Sequence, residues 1–161
     1  MPRSTGLRRS PTSGDLASWR AFIEISERMR GAIGSRLQSD SGLSSGDYAV
    51  LLSLSEAKDN RVRSSELAAT IGWERSRLSH HLGRMEQRGL ISRDNCLTDS
   101  RGAEVVLTAE GAAAFRRASG PHLHAIQELF VSALTAEQLA SVAEISGALS
   151  SHLKLSSSTS A

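Results

Sequence analysis

The chain has 161 residues, of which 39% are apolar and 22% are charged, a composition typical of a folded globular domain. Its single cysteine, Cys96, excludes an internal disulfide and a metal site built from several thiolates. No stretch contains the roughly 18 consecutive apolar residues that span a bilayer, and the first residues lack the apolar core of a secretory signal. We therefore expect a cytoplasmic protein with no membrane partner.

The net charge of +2 is small, but it is unevenly distributed along the chain. Residues 58–101 contain nine basic and six acidic side chains, and residues 1–14 contain three arginines and no acid. Seventeen of the nineteen basic residues are arginine, whose planar guanidinium suits phosphates and guanine edges. The codon bias of a GC-rich genome is another explanation for the arginine excess, but it does not explain the basic segment at 58–101.

Apolar residues at helical spacing predict a first helix over residues 15–38. It follows an arm, residues 1–14, whose Arg, Ser, Gly and Pro content indicates flexibility. Ser44 and Asp47 have the spacing of a capping box and predict the start of a second helix. The residues expected on its buried face are Tyr48, Leu51, Leu52 and Leu54.

Residues 60–63 form a link long enough for one strand. A short helix over 65–71, capped by Ser64 and ended by Gly72, precedes a longer helix over 74–88. Two strand candidates, 90–93 and 103–107, then enclose a polar loop.

Thr108 caps the next helix, in which Gly120-Pro121 predicts a kink or a restart. A capping box at Thr135 and Gln138 begins the last helix, and residues 156–161 form a disordered tail. The residues expected on the inward face of the last helix are Leu139, Val142, Ile145, Leu149 and Leu153.

This order of elements predicts a mainly α fold with a small two- or three-stranded β wing, the winged helix-turn-helix. In such a fold the second helix of the turn lies in a DNA major groove, and the hairpin contacts the flanking backbone or minor groove. The helix over 74–88 is the recognition helix in this interpretation.

The recognition helix has a buried stripe of Leu78, Leu82 and Met85. Its other positions place small hydroxyls between Arg and His side chains, which permits close approach to bases and bidentate contact with guanine. The candidate DNA-contacting residues are Arg75, Ser76, Arg77, Ser79, His80, His81 and Arg84. A solvated basic helix face is the simpler alternative. We also expect Ser64 and Ser65, before the turn, to contact the DNA backbone.

The hairpin supplies four more candidates, Arg93, Asp99, Ser100 and Arg101. Asp99 can hold the Arg101 guanidinium through a charge-assisted hydrogen bond. An arginine fixed on a narrow hairpin suits the electronegative minor groove of A·T-rich DNA. The alternative is an ordinary turn with a local ion pair.

Several runs of residues carry a family resemblance. They are Ser65-Glu66-Leu67-Ala68, Ser76-Arg77-Leu78-Ser79-His80-His81-Leu82, Arg84-Met85-Glu86-Gln87-Arg88-Gly89-Leu90-Ile91, Asp99-Ser100-Arg101-Gly102 and Val106-Leu107-Thr108-Ala109-Glu110-Gly111. At this spacing they resemble the MarR family of bacterial transcription regulators, most specifically over residues 64–111. The arm at 1–14 is an addition, and Ser79 and His80 stand where Thr and Arg are often found, so no operator sequence can be transferred.

The resemblance implies a homodimer that binds a pseudo-palindromic operator in double-stranded DNA, with Arg101 in the minor groove. It also implies a repressor modulated by a small molecule, and no cofactor. The effector would lie between the dimerisation helices and the winged lobe, with Trp19, Phe22 and Tyr48 as walls. Core and interface packing is the other interpretation of these three residues.

The chain ends independently suggest dimerisation, because a single compact winged domain does not need two terminal amphipathic helices. The expected interface residues are Leu16, Ile23, Leu134, Ile145, Leu149 and Leu153. We thus expect a domain over 15–155, with dimerisation helices at 15–43 and 108–155 and a winged lobe at 44–107.

Three alternatives remain at this stage. An enzyme is disfavoured, because the chain has no Gly-rich phosphate loop, His-Glu-x-x-His or Gly-x-Ser-x-Gly motif. A dimeric ligand-sensing or interaction protein could keep the fold without binding DNA. A redox-responsive regulator could act through Cys96, which lies beside wing arginines that favour a thiolate. The histidines form no recognisable metal set.

Overall fold

The computed structural model describes residues 10–94 and 103–158. It contains helices α1 (Ser13–Ser41), α2 (Ser45–Glu56), α3 (Ser64–Ile71), α4 (Arg75–Gln87), α5 (Ala109–Leu129) and α6 (Ala136–Ser158). Its strands are β1 (Arg61–Arg63), β2 (Ile91–Asp94) and β3 (Glu104–Leu107). The predicted mainly helical winged fold is confirmed.

The three strands form one antiparallel sheet in the order β1-β3-β2. Val62 of β1 is opposite Val105 of β3, and Arg93 of β2 is opposite the same Val105. The link at 60–63 is therefore the third strand of the wing, and it joins the sheet directly to the start of α3.

The core lies in the winged lobe, where α2, α3, α4 and the sheet meet. It includes the predicted stripe of α4 and apolar residues from every neighbouring element. Its largest fully buried side chains are Leu43, Leu51, Leu54, Leu67, Leu78, Leu82, Met85 and Ile91. The same core continues to α1 and α5, which pack along each other and bury Leu37 and Ala118, and Ala125 is buried further along α5.

Local capping signals appear where the sequence predicts them. Ser44 and Asp47 form a capping box at α2, with Asp47 N–H donating to Ser44 Oγ at 3.1 Å. Thr108 Oγ1 accepts from Gly111 N–H at 2.9 Å, and Thr135 N–H donates to Gln138 Oε1 at 2.9 Å. These helix starts are confirmed.

Two side-chain expectations are wrong. Leu52 is 37% exposed, and Val50 is buried in the core instead. Ser64 does not cap α3, because its hydroxyl donates to the Ala103 carbonyl at 2.7 Å and so joins α3 to the wing. Of the kink or restart expected at Gly120-Pro121, the restart is absent, because α5 is continuous through Pro121.

The ends of the domain also differ from the expected bounds. Helix α1 begins at Ser13 behind a capping box formed by Thr12 and Asp15, so the last two residues of the expected arm are helical. Helix α6 continues to Ser158, so residues 156–158 are helical rather than part of a disordered tail. Residues 1–9 and 159–161 lie outside the described residues.

Four of the five apolar residues expected on the inward face of α6 are exposed. Their exposed fractions in the single chain are 39% for Val142, 54% for Ile145, 46% for Leu149 and 66% for Leu153. The expected inward direction of this face is therefore wrong, because the face points away from the chain's own core.

Candidate nucleic-acid interface

Helix α4 presents one polar face to solvent. Leu78, Leu82 and Met85 anchor its other side in the core. The exposed residues on the polar face are Arg75, Ser76, Arg77, Ser79, His80 and Arg84. A groove-reading helix needs this combination of a rigid apolar base and outward arginines and hydroxyls.

His81 is an exception to the predicted face. Its side chain is buried, at 8% exposure, and lies between α4 and the start of α2. Its Nε2 lies 3.0 Å from Asp47 Oδ1, within ion-pair distance but not aligned as a hydrogen bond. The expectation that His81 contacts DNA is therefore wrong, because the turn of α4 that contains it packs on α2.

Two arginines of the exposed face are held by residues of the lobe itself. The guanidinium carbon of Arg77 lies 4.2 Å from the centre of the Trp73 ring, a cation–π arrangement. Arg84 Nη2 lies 3.1 Å from His81 Nδ1. Trp73 and His81 are themselves in contact, edge to face, with ring centres 5.1 Å apart.

Asp47 is the buried acid beneath this arrangement, at 3% exposure. Its Oδ2 accepts hydrogen bonds from Ser44 N–H at 2.9 Å and Arg88 Nη1 at 2.8 Å. Burial raises the pKa of Asp47, but the hydrogen bonds from Arg88 and Ser44 outweigh burial and hold the pKa below its ordinary value. Asp47 is therefore a charged anchor at neutral pH.

Arg88 is a structural residue that sequence reasoning did not single out. Besides Asp47 it binds the Gly42 carbonyl, with Nη2 donating at 3.1 Å. It thus ties the end of α4 to the joint between α1 and α2. The sequence feature that could have identified Arg88 is its position in the Arg-Gly-Leu run at the end of the recognition helix.

The base of the wing is fixed to α4 by Arg93. Its Nε and Nη2 both donate to Glu86 Oε2, at 2.8 and 2.6 Å, and its backbone N–H donates to Glu86 Oε1 at 3.1 Å. The hydrogen bond from the Arg93 side chain is also the main cause of the lowered pKa of Glu86. Arg93 is thus already paired within the protein.

The candidates Asp99, Ser100 and Arg101, and also Cys96, lie outside the described residues. At the other end of the turn, Ser65 is exposed at the start of α3, whereas the Ser64 hydroxyl is bound to Ala103.

The expected effector residues do not share one cavity. Tyr48 lines a cavity of about 290 Å³ together with Arg30, Leu37 and His122. Phe22 lines a separate groove of about 650 Å³ beside Phe130, Leu134 and Val142.

Trp19 is 63% exposed and does not line either of these two spaces. Trp19, Leu16, Phe22 and Ile25 form an exposed apolar face on α1. Val142, Ile145, Leu149 and Leu153 form a second exposed apolar face on α6. Ile23 is only partly exposed, and Leu134 lies in the groove beside Phe22.

Two other kinds of site have no support among the residues that the structure describes. Within them no group of three His, Cys, Asp or Glu side chains could hold a metal ion. No helix there is long and apolar enough to cross a membrane.

Comparison with known proteins finds no matching family model. The structure is similar to AbsC, a MarR family transcriptional regulator from Streptomyces coelicolor, with a TM-score of 0.82 and 32% identity over 91% of this chain and 98% of AbsC. It is also similar to Sco3205, another MarR family regulator of that organism, solved in complex with DNA. The TM-score is 0.83 and the identity 34%, over 90% of this chain and 91% of Sco3205.

A curated relative adds a sequence match. The HTH-type transcriptional repressor YetL of Bacillus subtilis (strain 168) is 29% identical over 101 residues. The match covers 63% of this chain and 60% of YetL, so the chain spans less than two thirds of that relative.

Proposed function

The chain belongs to the MarR family of transcriptional regulators, and we propose that it represses transcription by binding a pseudo-palindromic DNA operator as a homodimer. The observation that carries this proposal is the exposed face of α4, where Arg75, Arg77 and Arg84 stand among hydroxyls above a buried stripe. Double-stranded DNA is the partner that suits such a face, since arginine binds phosphates and guanine edges.

Within this proposal the exposed residues of α4 enter the major groove. Ser65 lies at the start of the preceding helix, where a DNA backbone phosphate would pass. Arg101 reaches the minor groove from the wing with Asp99 fixing its direction, and Ser100 is a further wing residue at the DNA. Arg93 has a different role from the one first expected, because its pairing with Glu86 fits an anchor for the wing.

A second copy of the chain is the partner that the apolar faces of α1 and α6 require. The two helices expose Trp19, Ile25, Ile145 and Leu153 by more than half. A symmetric contact through these faces would cover this surface and place two recognition helices about one DNA turn apart.

A small effector is proposed at the Tyr48 cavity. Its wall contains the aromatic pair Tyr48 and His122, with ring centres 4.3 Å apart, and Arg30. The Nδ1 atom of His122 is buried and has no hydrogen-bond partner among the described residues. These groups favour a small planar molecule with an acidic or hydroxyl group. The proposed function involves no catalysis. We place the protein in the cytoplasm, because a regulator of this kind acts on chromosomal DNA.

The test is a selection of DNA from a random-sequence duplex library with the full chain, followed by binding measurements at several salt concentrations. We expect enrichment of a duplex with two-fold symmetry and an affinity that falls as salt rises, because bound phosphates release counterions. Equal, weak binding to all duplexes would favour the alternative of a dimeric ligand-sensing protein that does not read DNA.

A further inference from the structure

We propose that His81 and Trp73 are positioning residues for DNA recognition, which hold the Arg84 and Arg77 guanidinium groups in place before DNA arrives. The proposal rests on the DNA binding proposed above and adds two residues that do not themselves touch DNA. Trp73 contacts Arg77 and His81 contacts Arg84, and both arginines belong to the exposed face of α4.

The contact between Arg84 and His81 constrains the protonation of the histidine. A guanidinium can only donate hydrogen bonds, so His81 Nδ1 must be the acceptor at the 3.1 Å contact. A neutral imidazole then carries its proton on Nε2, which faces Asp47 Oδ1 at 3.0 Å. The buried carboxylate therefore favours the tautomer that accepts from Arg84.

The position of the His81 ring is restricted from two sides. It packs against the backbone of Gly46, and it faces the carboxylate of Asp47, which is itself held in place. Ser44 N–H and Arg88 hold Asp47 from two other directions. At Gly46 a Cβ atom would lie 2.6 Å from Trp73 Cη2 and 3.0 Å from His81 Cε1. Only glycine at this point of α2 allows the two rings to pack so closely, so a larger residue would displace them.

Trp73 restricts the Arg77 side chain, as His81 restricts that of Arg84. A guanidinium lying on an indole face keeps the N–H groups at its edge available for other acceptors. Arginine side chains otherwise have many rotamers, and ordering them on binding is unfavourable. Trp73 and His81 reduce this cost by restricting Arg77 and Arg84 in the free protein.

The test is a double-mutant cycle between position 81 and Arg84. The DNA probes are the duplex selected from the random library and a shuffled duplex of equal composition. We expect His81→Leu to weaken binding of the selected duplex by roughly five- to tenfold. In the Arg84→Ala background the same change should have less than about a twofold effect, because the group that it positions is gone.

Two further variants separate positioning from folding. His81→Asn retains an acceptor near the position of Nδ1, and we expect it to restore much of the lost affinity. His80→Asn changes the neighbouring exposed histidine, and its effect should be independent of Arg84. Equal losses from His81→Leu with and without Arg84 would overturn the proposal and leave His81 as a core residue.

A measurement on the unmodified protein does not depend on any variant folding. Nitrogen-15 NMR of the His81 imidazole reports its tautomer directly, and we expect the proton on Nε2. A proton on Nδ1 would overturn the proposal, since that atom could not accept from Arg84. Failure of the wild-type chain to enrich any duplex overturns the proposed function itself, whereas enrichment with an uncoupled His81 overturns only the positioning role.

Discussion

Asp47 joins three parts of the winged lobe through one carboxylate. It closes the capping box of α2, binds Arg88 at the end of α4 and faces the buried His81. Removing it leaves the Ser44 N–H without its side-chain acceptor and Arg88 without its buried counter-charge. A buried acid with this many partners contributes to stability because each partner would otherwise be left unsatisfied.

We expect Asp47→Ala to lower the free energy of unfolding by about 2–3 kcal/mol, from the lost cap and the lost charged hydrogen bond. Urea denaturation measures this change. Asp40→Ala is the matched control, because Asp40 forms a 3.8 Å ion pair with Arg36 in which the side chains are 35% and 42% exposed. It should change the free energy by no more than about 0.5 kcal/mol, and equal effects would contradict the role given to Asp47.

His81 predicts a pH dependence of stability. Burial is the largest cause that lowers its pKa; Asp47 raises it, and Arg84 and Arg88 add to the lowering. As the pH falls below about 6.5, the unfolded chain binds a proton at this position before the folded chain does. The free energy of unfolding should therefore fall over that range and be unaffected by this group at higher pH.

Urea denaturation at several pH values between about 7.5 and 5 tests this sign. Burial also lowers the pKa of His122, so both histidines contribute to the slope. We expect His81→Asn to reduce the slope and the double variant with His122→Asn to reduce it further. Stability that rises on acidification in the wild type and falls in His81→Asn would show that the Asp47 charge dominates.

At the scale of elements, sequence reasoning succeeds where the signal is local. Helix N-caps need only residues three apart, so Ser44, Thr108 and Thr135 are identified correctly. Periodicity likewise identifies the buried stripe of α4. Whether His81 is buried or exposed depends instead on how α4 crosses α2 and on the space above Gly46. A short sequence pattern contains no information about either. Ser64 fails for a similar reason, since its acceptor Ala103 is far along the chain.

The junction between α5 and the wing depends on Gly111. A Cβ atom there would overlap the Leu90 carbonyl oxygen, which is backbone and cannot move aside. We expect Gly111→Ala to lower the free energy of unfolding by about 1–3 kcal/mol through this overlap. Gly120→Ala, in the same helix with no atom within 4 Å of the new Cβ, should raise it by up to about 1 kcal/mol. Equal and small effects in thermal denaturation would show that the junction tolerates a side chain.

At the scale of the molecule, the exposed apolar faces of α1 and α6 support the proposed homodimer. Composition and periodicity predict these faces, but a single chain cannot define the partner that covers them. The DNA contacts are comparable. The sequence identifies the exposed arginines of α4, but which base or phosphate each arginine contacts depends on the complex with DNA. Family membership rests on similarity to solved regulators over nine tenths of the chain.

We expect Ile145→Glu to dissociate the homodimer, because it places a charge in the middle of the apolar face of α6. Sedimentation velocity measures the change in mass. Ala140→Glu adds the same charge to the same helix at an exposed position outside the apolar series and should leave the dimer intact. A stable dimer of Ile145→Glu would show that this face of α6 lies outside the interface.

If the exposed face of α4 reads base sequence, the variants Arg84→Ala and Arg75→Ala should differ in how they bind DNA. The measurement is the affinity of each variant for the selected duplex and for the shuffled duplex at one salt concentration. Loss of a base-reading arginine should lower discrimination between the two duplexes by about 1–3 kcal/mol for Arg84→Ala. Arg75→Ala, at the first turn of α4, should weaken both duplexes alike, as a phosphate contact does. Equal losses on both duplexes for Arg84→Ala would contradict the account and reduce α4 to a nonspecific basic surface.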